Sequence, residues 1–271
     1  MRTDAILARP GGAGVGRLGD GLQMFVRYAY PPNLRGFCGP SDASELRDYG
    51  LSGVVDAGLA ELARAFTGPW PYLTMMAASA GIPDPFDARI VEAYWVGNEL
   101  LTGVDMAVFG NRIEAEFKSR AGAGWGHMAE SIPAGSLPHH SFHVFGVYPW
   151  VGLLTQTERG EPLEILDRCR IRWGQVVTCS GDAVVVRSRP LTWDGRRLDL
   201  GAATTETVHQ AIDAHQADTS LEPGSWVSLH WDWVCDRLTR RQLANLIRHT
   251  SHQLEITNRR LEHPGPQMVM G

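Results

Sequence analysis

Two side chains that can bind a transition metal, Cys169 and His230, lie at the two ends of a β-rich stretch of the chain. Cys169 begins the segment Cys169-Arg-Ile-Arg-Trp-Gly174, and His230 ends the segment Gly224-Ser-Trp-Val-Ser-Leu-His230. A thiolate is a soft ligand and an imidazole a borderline one, so the pair suits a soft transition metal or its carbonyl and cyanide complexes. If the intervening strands form a small barrel, we expect the two side chains to meet in a metal site.

Three further histidines, His139, His140 and His143, begin an apolar run that extends to Leu154. His139 and His143 are four residues apart and would share one face of a helix, which is a usual spacing for metal ligands. The run should be deeply buried at the junction between two parts of the chain, so a metal site is one hypothesis here. The alternative is that these histidines cap the buried segment and form hydrogen bonds with the backbone.

Residues close to His230 in sequence could hold its ring in place. Alternation along an extended strand puts Asp232 on the same side as His230, where its carboxylate could fix the tautomer of the imidazole. Trp226 and Trp231 are predicted neighbours of the same site. These tryptophans could equally fill the interface between the strands and the helices.

The spacing of apolar residues divides the chain into a helical half and a β-rich half. Residues 41–154 have helical spacing with Gly and Pro breaks, whereas five short β-rich runs follow residue 163. Five strands at this spacing predict a small closed barrel. Thr204–Gln216 has helical composition and is predicted to be an insertion. Thr239-Arg-Arg-Gln242 is a capping box that begins a C-terminal helix of roughly 22 residues.

The sequence therefore predicts an α+β fold in three segments. Residues 1–22 are a flexible leader, and residues 23–160 are a mainly α-helical domain. Residues 163–262 are a five-stranded, OB-like β-barrel followed by the C-terminal helix.

The composition excludes several classes of protein. A formal net charge of −5 and a pI of about 6.0 do not provide the basic surface of a nucleic-acid binder. No run approaches the roughly 20 apolar residues of a membrane helix, and the first residues do not form a signal peptide. Four cysteines are too few for a disulfide scaffold in a chain of this size, and without a CxxC pair a structural zinc ribbon is not expected. We expect a cytoplasmic protein without nucleic-acid partners or membrane insertion.

The β-rich half resembles the HypC/HupF family of nickel-iron hydrogenase maturation chaperones over about residues 165–255. The resemblance lies in Cys169-x4-Gly174-Gln-Val-Val, in a Gly181-Asp182 turn before a valine strand, and in Pro223-Gly224-x-Trp226-Val-x-x-His230. It implies a barrel with a C-terminal helix. It also implies that Cys169 and His230 hold an iron atom carrying cyanide and carbon monoxide, which is then passed to the hydrogenase large subunit.

This chain differs from that family in several respects. In the family the cysteine directly follows the initiator methionine and a proline precedes the glycine, whereas here Cys169 is internal and Trp173 replaces the proline. The separation between the cysteine and the histidine is also longer, which we attribute to the predicted insertion. In the helical half, Arg35-Gly-Phe-Cys38-Gly39 loosely resembles the Arg-x-Cys-Gly-x-Cys motif of hydrogenase large subunits, and Cys38 is therefore a further candidate ligand.

Three hypotheses about function follow. The first is a hydrogenase assembly factor, not an enzyme in the strict sense, that binds or delivers the iron unit or holds the large subunit or another maturation protein. The second is a metalloenzyme whose iron or zinc is bound by His139, His140 and His143 at the domain junction. The third is a metal-free adaptor that binds a protein partner.

Overall fold

The computed structural model of the protein describes residues 20–121, 125–156, 160–212 and 221–262. The fold is α+β, as predicted, with N-terminal helices, a five-stranded barrel, a small two-stranded sheet and a C-terminal helix. Most of the predicted leader lies outside the described residues. Its last residues, 20–22, belong to the first helix, where Gly21 and Leu22 are buried.

The described chain before the barrel forms α-helices that are at most 16 residues long. The α-helices are α1 (Asp20–Leu34), α2 (Ser44–Ser52), α3 (Ala57–Arg64), α4 (Trp70–Ala80), α5 (Ala88–Trp95), α6 (Met106–Ala121), α7 (Trp125–Ser131), α8 (His140–Phe142), α9 (Trp150–Leu154) and α10 (Glu161–Cys169). A 3-10 helix spans Glu99–Gly103, and a π-helical turn spans His143–Val147. Because α1 packs against α5 on one side and against the barrel on the other, it connects the two halves.

The β-rich half forms a closed barrel with the strand order β1-β2-β5-β7-β6. These strands are β1 (Arg172–Ser180), β2 (Ala183–Ser188), β5 (Thr204–His209), β6 (Trp226–His230) and β7 (Trp233–Arg237). Neighbouring strands pair antiparallel except β5 and β7, which close the barrel through a single parallel pair, His209 with Trp233. Valine and leucine side chains fill the interior, as alternation along half-buried strands requires.

The predicted helical insertion is wrong where the structure describes it. Thr204–His209 is strand β5, paired with β2 from Ser188 to Ala183, and residues 213–220 lie outside the described residues. The segment Thr-Thr-Glu-Thr-Val-His is rich in β-branched residues, which fit a pleated surface. It completes the barrel between β2 and β7, and its Val208 is buried in the interior.

Two of the runs predicted as barrel strands lie outside the barrel. β3 (Leu191–Trp193) and β4 (Leu198–Leu200) pair with each other in a separate two-stranded sheet. Asn258 of the C-terminal helix holds this sheet, because its side chain bonds both the N–H and the C=O of Leu198, at 2.8 and 2.9 Å. The barrel contains β5 and β7 instead of β3 and β4.

The C-terminal helix α11 (Arg240–Glu262) begins at the predicted capping box. The Gln242 side chain accepts a hydrogen bond from the Thr239 N–H at 3.0 Å, and the Gln242 N–H donates to Thr239 Oγ1 at 3.2 Å. Helix α11 packs against α7, α8, β1 and β4. Its Leu246 belongs to the same buried cluster as the helices of the N-terminal half, so the hydrophobic core is continuous. Among the helices in the described ranges, none has the length and apolar character that crossing a bilayer requires.

Candidate metal centre

Three buried side chains from three different elements come together where the helices meet the barrel. His140 begins α8, Cys169 ends α10 and His230 ends β6. A potential ligand atom from each, imidazole nitrogen or Sγ, lies within 4.8 Å of the other two. Their exposed fractions are 4%, 5% and 0%. We call these three residues the inner cluster.

A backbone hydrogen bond brings the end of β6 to the end of α10. The residue after His230, Trp231, has the left-handed φ of 55°, which turns the chain sharply at the end of the strand. In this conformation its N–H donates to the carbonyl oxygen of Arg168 at 2.7 Å, in the last turn of α10. Strand and helix are thereby joined one residue away from His230 and from Cys169.

Buried charges hold the strands beneath this junction. The Arg172 guanidinium donates to the carbonyl oxygen of Trp231 and to the carboxylate of Glu206, which also pairs with Arg168 at 2.6 Å. Burial raises the pKa of Glu206, but Arg172, Ser188 and Arg168 outweigh this effect and the pKa is lowered overall. Glu206 is therefore a carboxylate. It joins β5 directly to Arg168, which precedes Cys169, and through Arg172 to the carbonyl oxygen of Trp231, which follows His230.

His230 has one nitrogen in use and one free. Its Nδ1 lies 2.6 Å from the backbone oxygen of Tyr28, which can only accept, so Nδ1 carries the proton. Nε2 is buried and has no hydrogen-bond partner within the described residues. The pKa of His230 is well below its ordinary value, first because of burial and then because of His140, although backbone oxygens of Tyr28 and Cys169 favour the charged ring. The ring is neutral, and its Nε2 lone pair is available to a metal.

His140 connects the helical half to the inner cluster, but both of its nitrogens have partners. Nε2 donates to the carbonyl oxygen of Cys169 at 2.9 Å, and Nδ1 accepts from the Tyr94 hydroxyl at 3.2 Å. Burial lowers the pKa of His140 to about 4, so this ring is also neutral near pH 7. A metal bound here must replace one of the two hydrogen bonds, which makes His140 a weaker ligand than His230.

The third donor, Cys169, is a free thiol at the end of α10. Burial, with a smaller contribution from Cys38, raises its pKa far above the ordinary value, so the thiol keeps its proton when no metal is bound. Since a metal binds the thiolate, binding must displace that proton. One thiolate and two neutral imidazoles are a donor set that zinc, iron and copper accept.

Aromatic rings enclose the inner cluster. The Trp95 ring lies 4.6 Å from the His140 ring and 5.6 Å from the His230 ring, between centroids. The Tyr28 ring stacks on the Trp95 ring with 5.5 Å between centroids. Such surroundings exclude water and strengthen the electrostatic attraction between a cation and a thiolate.

The predicted histidine trio is deeply buried, as expected, but its members have different partners. His139 caps α8, since its Nδ1 accepts a hydrogen bond from the Ser141 N–H at 3.1 Å, as the capping alternative predicts. His143 Nδ1 forms a hydrogen bond with the Tyr72 hydroxyl at 3.2 Å. In the described part of the chain, the group able to hold a metal joins His140 to Cys169 and His230, and leaves out His139 and His143.

The residues predicted to support His230 are placed differently from the prediction. Asp232 does not fix the His230 tautomer, because its carboxylate pairs with Arg35 at 2.7 Å and lies 3.7 Å from His209. Trp226 begins β6 and so lies at the far end of the strand from His230. The strand ends at His230, so the alternation used to place Asp232 beside it does not continue past Trp231.

Trp231 has a role in the connection to the helical half. Its ring stacks on Phe37 with 4.7 Å between centroids, and the Arg35 guanidinium lies 5.2 Å from the same ring. These contacts, together with the ion pair from Arg35 to Asp232, hold the loop that carries Cys38. Cys38 itself is not in the inner cluster but lines a nearby cavity of about 400 Å³, which also contains His143.

Sequence reasoning missed the residues that fix the inner cluster from the helical side. Tyr28 acts through its backbone oxygen, which no side-chain motif can indicate. Tyr94 and Trp95 are part of an ordinary apolar helix pattern in α5. His140 was recognised as a candidate ligand, but its place beside Cys169 is a tertiary contact that sequence spacing does not contain.

The chain belongs to a family of unknown function, DUF6390, whose sequence profile matches residues 17–264. The match includes both the helical half and the barrel, so the two parts are shared features of one family. A search of curated proteins found no match, and a search of solved structures found none either. The family description assigns no activity, and the relation to hydrogenase maturation chaperones therefore stays a sequence-based expectation.

Proposed function

We propose that this protein binds iron at His140, Cys169 and His230 and acts as an assembly factor for a nickel-iron hydrogenase. The observation that carries the proposal is the meeting of a thiol and two neutral imidazoles within 4.8 Å in a buried site. Buried polar groups are normally paired, and the lack of a partner for His230 Nε2 among the described residues is what a metal ligand bond would explain.

The position of Cys169 and His230 supports the connection with hydrogenase assembly. The resemblance to HypC/HupF chaperones requires Cys169 and His230 to be neighbours, and they are neighbours although they are 61 positions apart in the sequence. Three protein donors leave room on a six-coordinate iron for small ligands such as cyanide and carbon monoxide. In this proposal the iron unit is cargo, and the recipient is the hydrogenase large subunit or another maturation protein.

The third donor, His140, is what this chain adds to the expected pair. Because it belongs to the helical half, bound iron would connect that half to the barrel. A cargo held by both halves can be released when they shift relative to each other, since the weaker His140 ligand can return to its hydrogen bonds with Cys169 and Tyr94. The buried thiols suit a reducing compartment, which supports an action in the cytoplasm.

The test is the metal content and infrared spectrum of the full chain purified without oxygen from its native host. We expect iron, together with absorption bands in the region of metal-bound cyanide and carbon monoxide, and both should be lost in Cys169→Ala. Cys235→Ala is the matched control, because Cys235 is equally buried but lies outside the inner cluster. Iron without those bands would leave a metal site but reject the hydrogenase cargo. A metal-free wild-type protein would support the adaptor hypothesis instead.

A further inference from the structure

A cavity of about 400 Å³ lies beside the inner cluster, between the loop after α1 and the π-helical turn. Its wall includes Gly36, Phe37, Cys38, Gly68, His143 and Tyr148. It is therefore lined by one thiol and one imidazole, the same two kinds of ligand as the inner cluster. Neither of these side chains has a part in the site described above.

The sulfur of Cys38 and the Nε2 of His143 face the same small space next to Gly68. A methyl group placed on Gly68 would lie 3.2 Å from His143 Nε2 and 3.6 Å from Cys38 Sγ. The absence of a side chain at residue 68 thus leaves open the place where an ion could touch both atoms. We call Cys38 and His143 the outer pair.

His143 is prepared to act as a ligand. The residue is 3% exposed, and its Nε2 lies 3.2 Å from the position that a methyl group on Gly68 would occupy. The Tyr72 hydroxyl, 3.2 Å from Nδ1, can accept a hydrogen bond from an Nδ1–H, and in this tautomer the lone pair is on Nε2. Burial lowers the pKa of His143 to about 3, so the ring does not become charged near neutral pH.

Imidazoles form a path from the outer pair to the inner cluster. The rings of His143 and His140 lie 6.3 Å apart between centroids, with their planes 22° from parallel. The rings of His140 and His230 lie 5.2 Å apart. The two thiols are also close enough for a charge on Cys38 to raise the pKa of Cys169. Successive rings from the cavity to the buried site are therefore 6.3 and 5.2 Å apart between centroids.

We propose that metal enters through this cavity and is held first by Cys38 and His143 before it moves to His140, Cys169 and His230. This inference rests on the proposed function, because it requires the inner cluster to bind metal. The transfer is an exchange of ligands without a change in oxidation state. Cys38 loses its thiol proton to solvent when it binds the metal and regains one when the metal leaves, while Cys169 loses its proton on receiving it.

The experiment measures how fast the reduced, metal-free full chain takes up Co²⁺, which reports a thiolate ligand through its sulfur-to-cobalt absorption. In Cys38→Ser and in His143→Ala we expect uptake slowed by about tenfold or more, because the transition state for entry loses a ligand. The final spectrum and the amount of cobalt bound should equal those of wild type. Cys179→Ser is the matched control, since Cys179 is an exposed thiol outside both sites.

A second variant tests the path without removing any ligand. Gly68→Val places a side chain against His143 Nε2 and should also slow uptake, while equilibrium binding is retained. Unchanged uptake rates in Cys38→Ser and Gly68→Val would overturn the proposal. It would also be overturned if Cys38→Ser changed the final spectrum, because Cys38 would then be a permanent ligand. No cobalt uptake by the wild-type chain would instead reject the proposed metal-binding function.

Discussion

The inner cluster and the outer pair contain the same kinds of side chain in contrasting surroundings. In the inner cluster, both histidine rings are bonded to backbone oxygens, those of Tyr28 and Cys169, and aromatic side chains exclude solvent. The outer pair lies in the wall of an open cavity, and Cys38 belongs to a partly exposed loop. Under the proposed function, the two sites would differ in how long they retain a metal although their ligands are of the same kinds. The difference would come from burial and from the hydrogen bonds to the ligands.

Removal of the thiols should separate the two sites most clearly. Cys169→Ala deletes the anionic donor of the inner cluster, and we expect metal affinity to fall by about 100-fold or more, because each ligand carries a large share of the binding free energy. Cys38→Ala should leave the equilibrium affinity within about threefold of wild type, as expected for a group that binds only in transit. Competition with a chelator of known affinity measures both. Equal losses in the two variants would mean that both cysteines hold the final metal.

Acid should destabilise the metal-free protein through the buried histidines of both sites. Burial lowers the pKa of His140 to about 4 and that of His143 to about 3, from an unfolded value of 6.5, so the unfolded state binds protons first as the pH falls. Their contribution is complete above pH 6.5 and is lost progressively down to about pH 4 for His140 and about pH 3 for His143.

Urea unfolding at a series of pH values measures this loss. From the lowered pKa values, His140 should contribute about 3 kcal/mol and His143 about 5 kcal/mol to the pH dependence of the free energy of unfolding. His140→Gln and His143→Gln should each flatten the curve, and His143→Gln should do so further into the acid range. A curve as steep as that of wild type in His143→Gln would contradict the burial of the His143 ring.

Within the inner cluster, the two histidines should differ in strength. We expect His230→Ala to lower metal affinity about tenfold more than His140→Ala, because the free Nε2 of His230 binds without losing a hydrogen bond. His139→Ala is the control for a buried histidine that belongs to neither site. Calorimetric titration with zinc gives the affinities. If His140→Ala had the larger effect, the assignment of the stronger ligand to the barrel side would be wrong.

The smallest effect is expected at the ion pair that holds the Cys38 loop. Arg35 and Asp232 are partly exposed, and Asp232→Asn should lower the free energy of unfolding by less than about 1 kcal/mol. Asp236→Asn is the matched comparison, because the Arg27–Asp236 pair is more buried and joins α1 to β7. Asp236→Asn should lower the free energy of unfolding by more than Asp232→Asn does. Equal costs, measured by urea unfolding, would show that the loop beside the cavity is held as firmly as the core.

Much of the fold follows from local sequence signals. The capping box at Thr239 and the valine-rich β2 were identified because their patterns are complete within a few residues. β5 was misassigned because its strand residues are followed by a segment of helical composition. The sequence alone does not show that the open edge between β2 and β7 needs a strand. Pairing with β2 overrides the local composition.

The candidate site was predictable only in part. Cys169 and His230 could be predicted to be neighbours, because the resemblance to the HypC/HupF barrel matches them to the cysteine and the histidine that hold iron in that family. His140 was assigned to a different site, since its contact with Cys169 depends on how the helices pack on the barrel. The placement of Asp232 failed because Trp231 adopts a left-handed conformation, and alternation between faces holds only while the chain remains extended.

The hydrogen bond from His230 to the Tyr28 oxygen also has a consequence for biosynthesis. The two residues are 202 positions apart, so the ring cannot be fixed until residue 230 and the strands before it have left the ribosome. Contacts this distant in sequence form late, after local helices are in place. The inner cluster therefore forms late in folding, and under the proposed metal-binding function the metal would be supplied to the folded protein and not to the nascent chain.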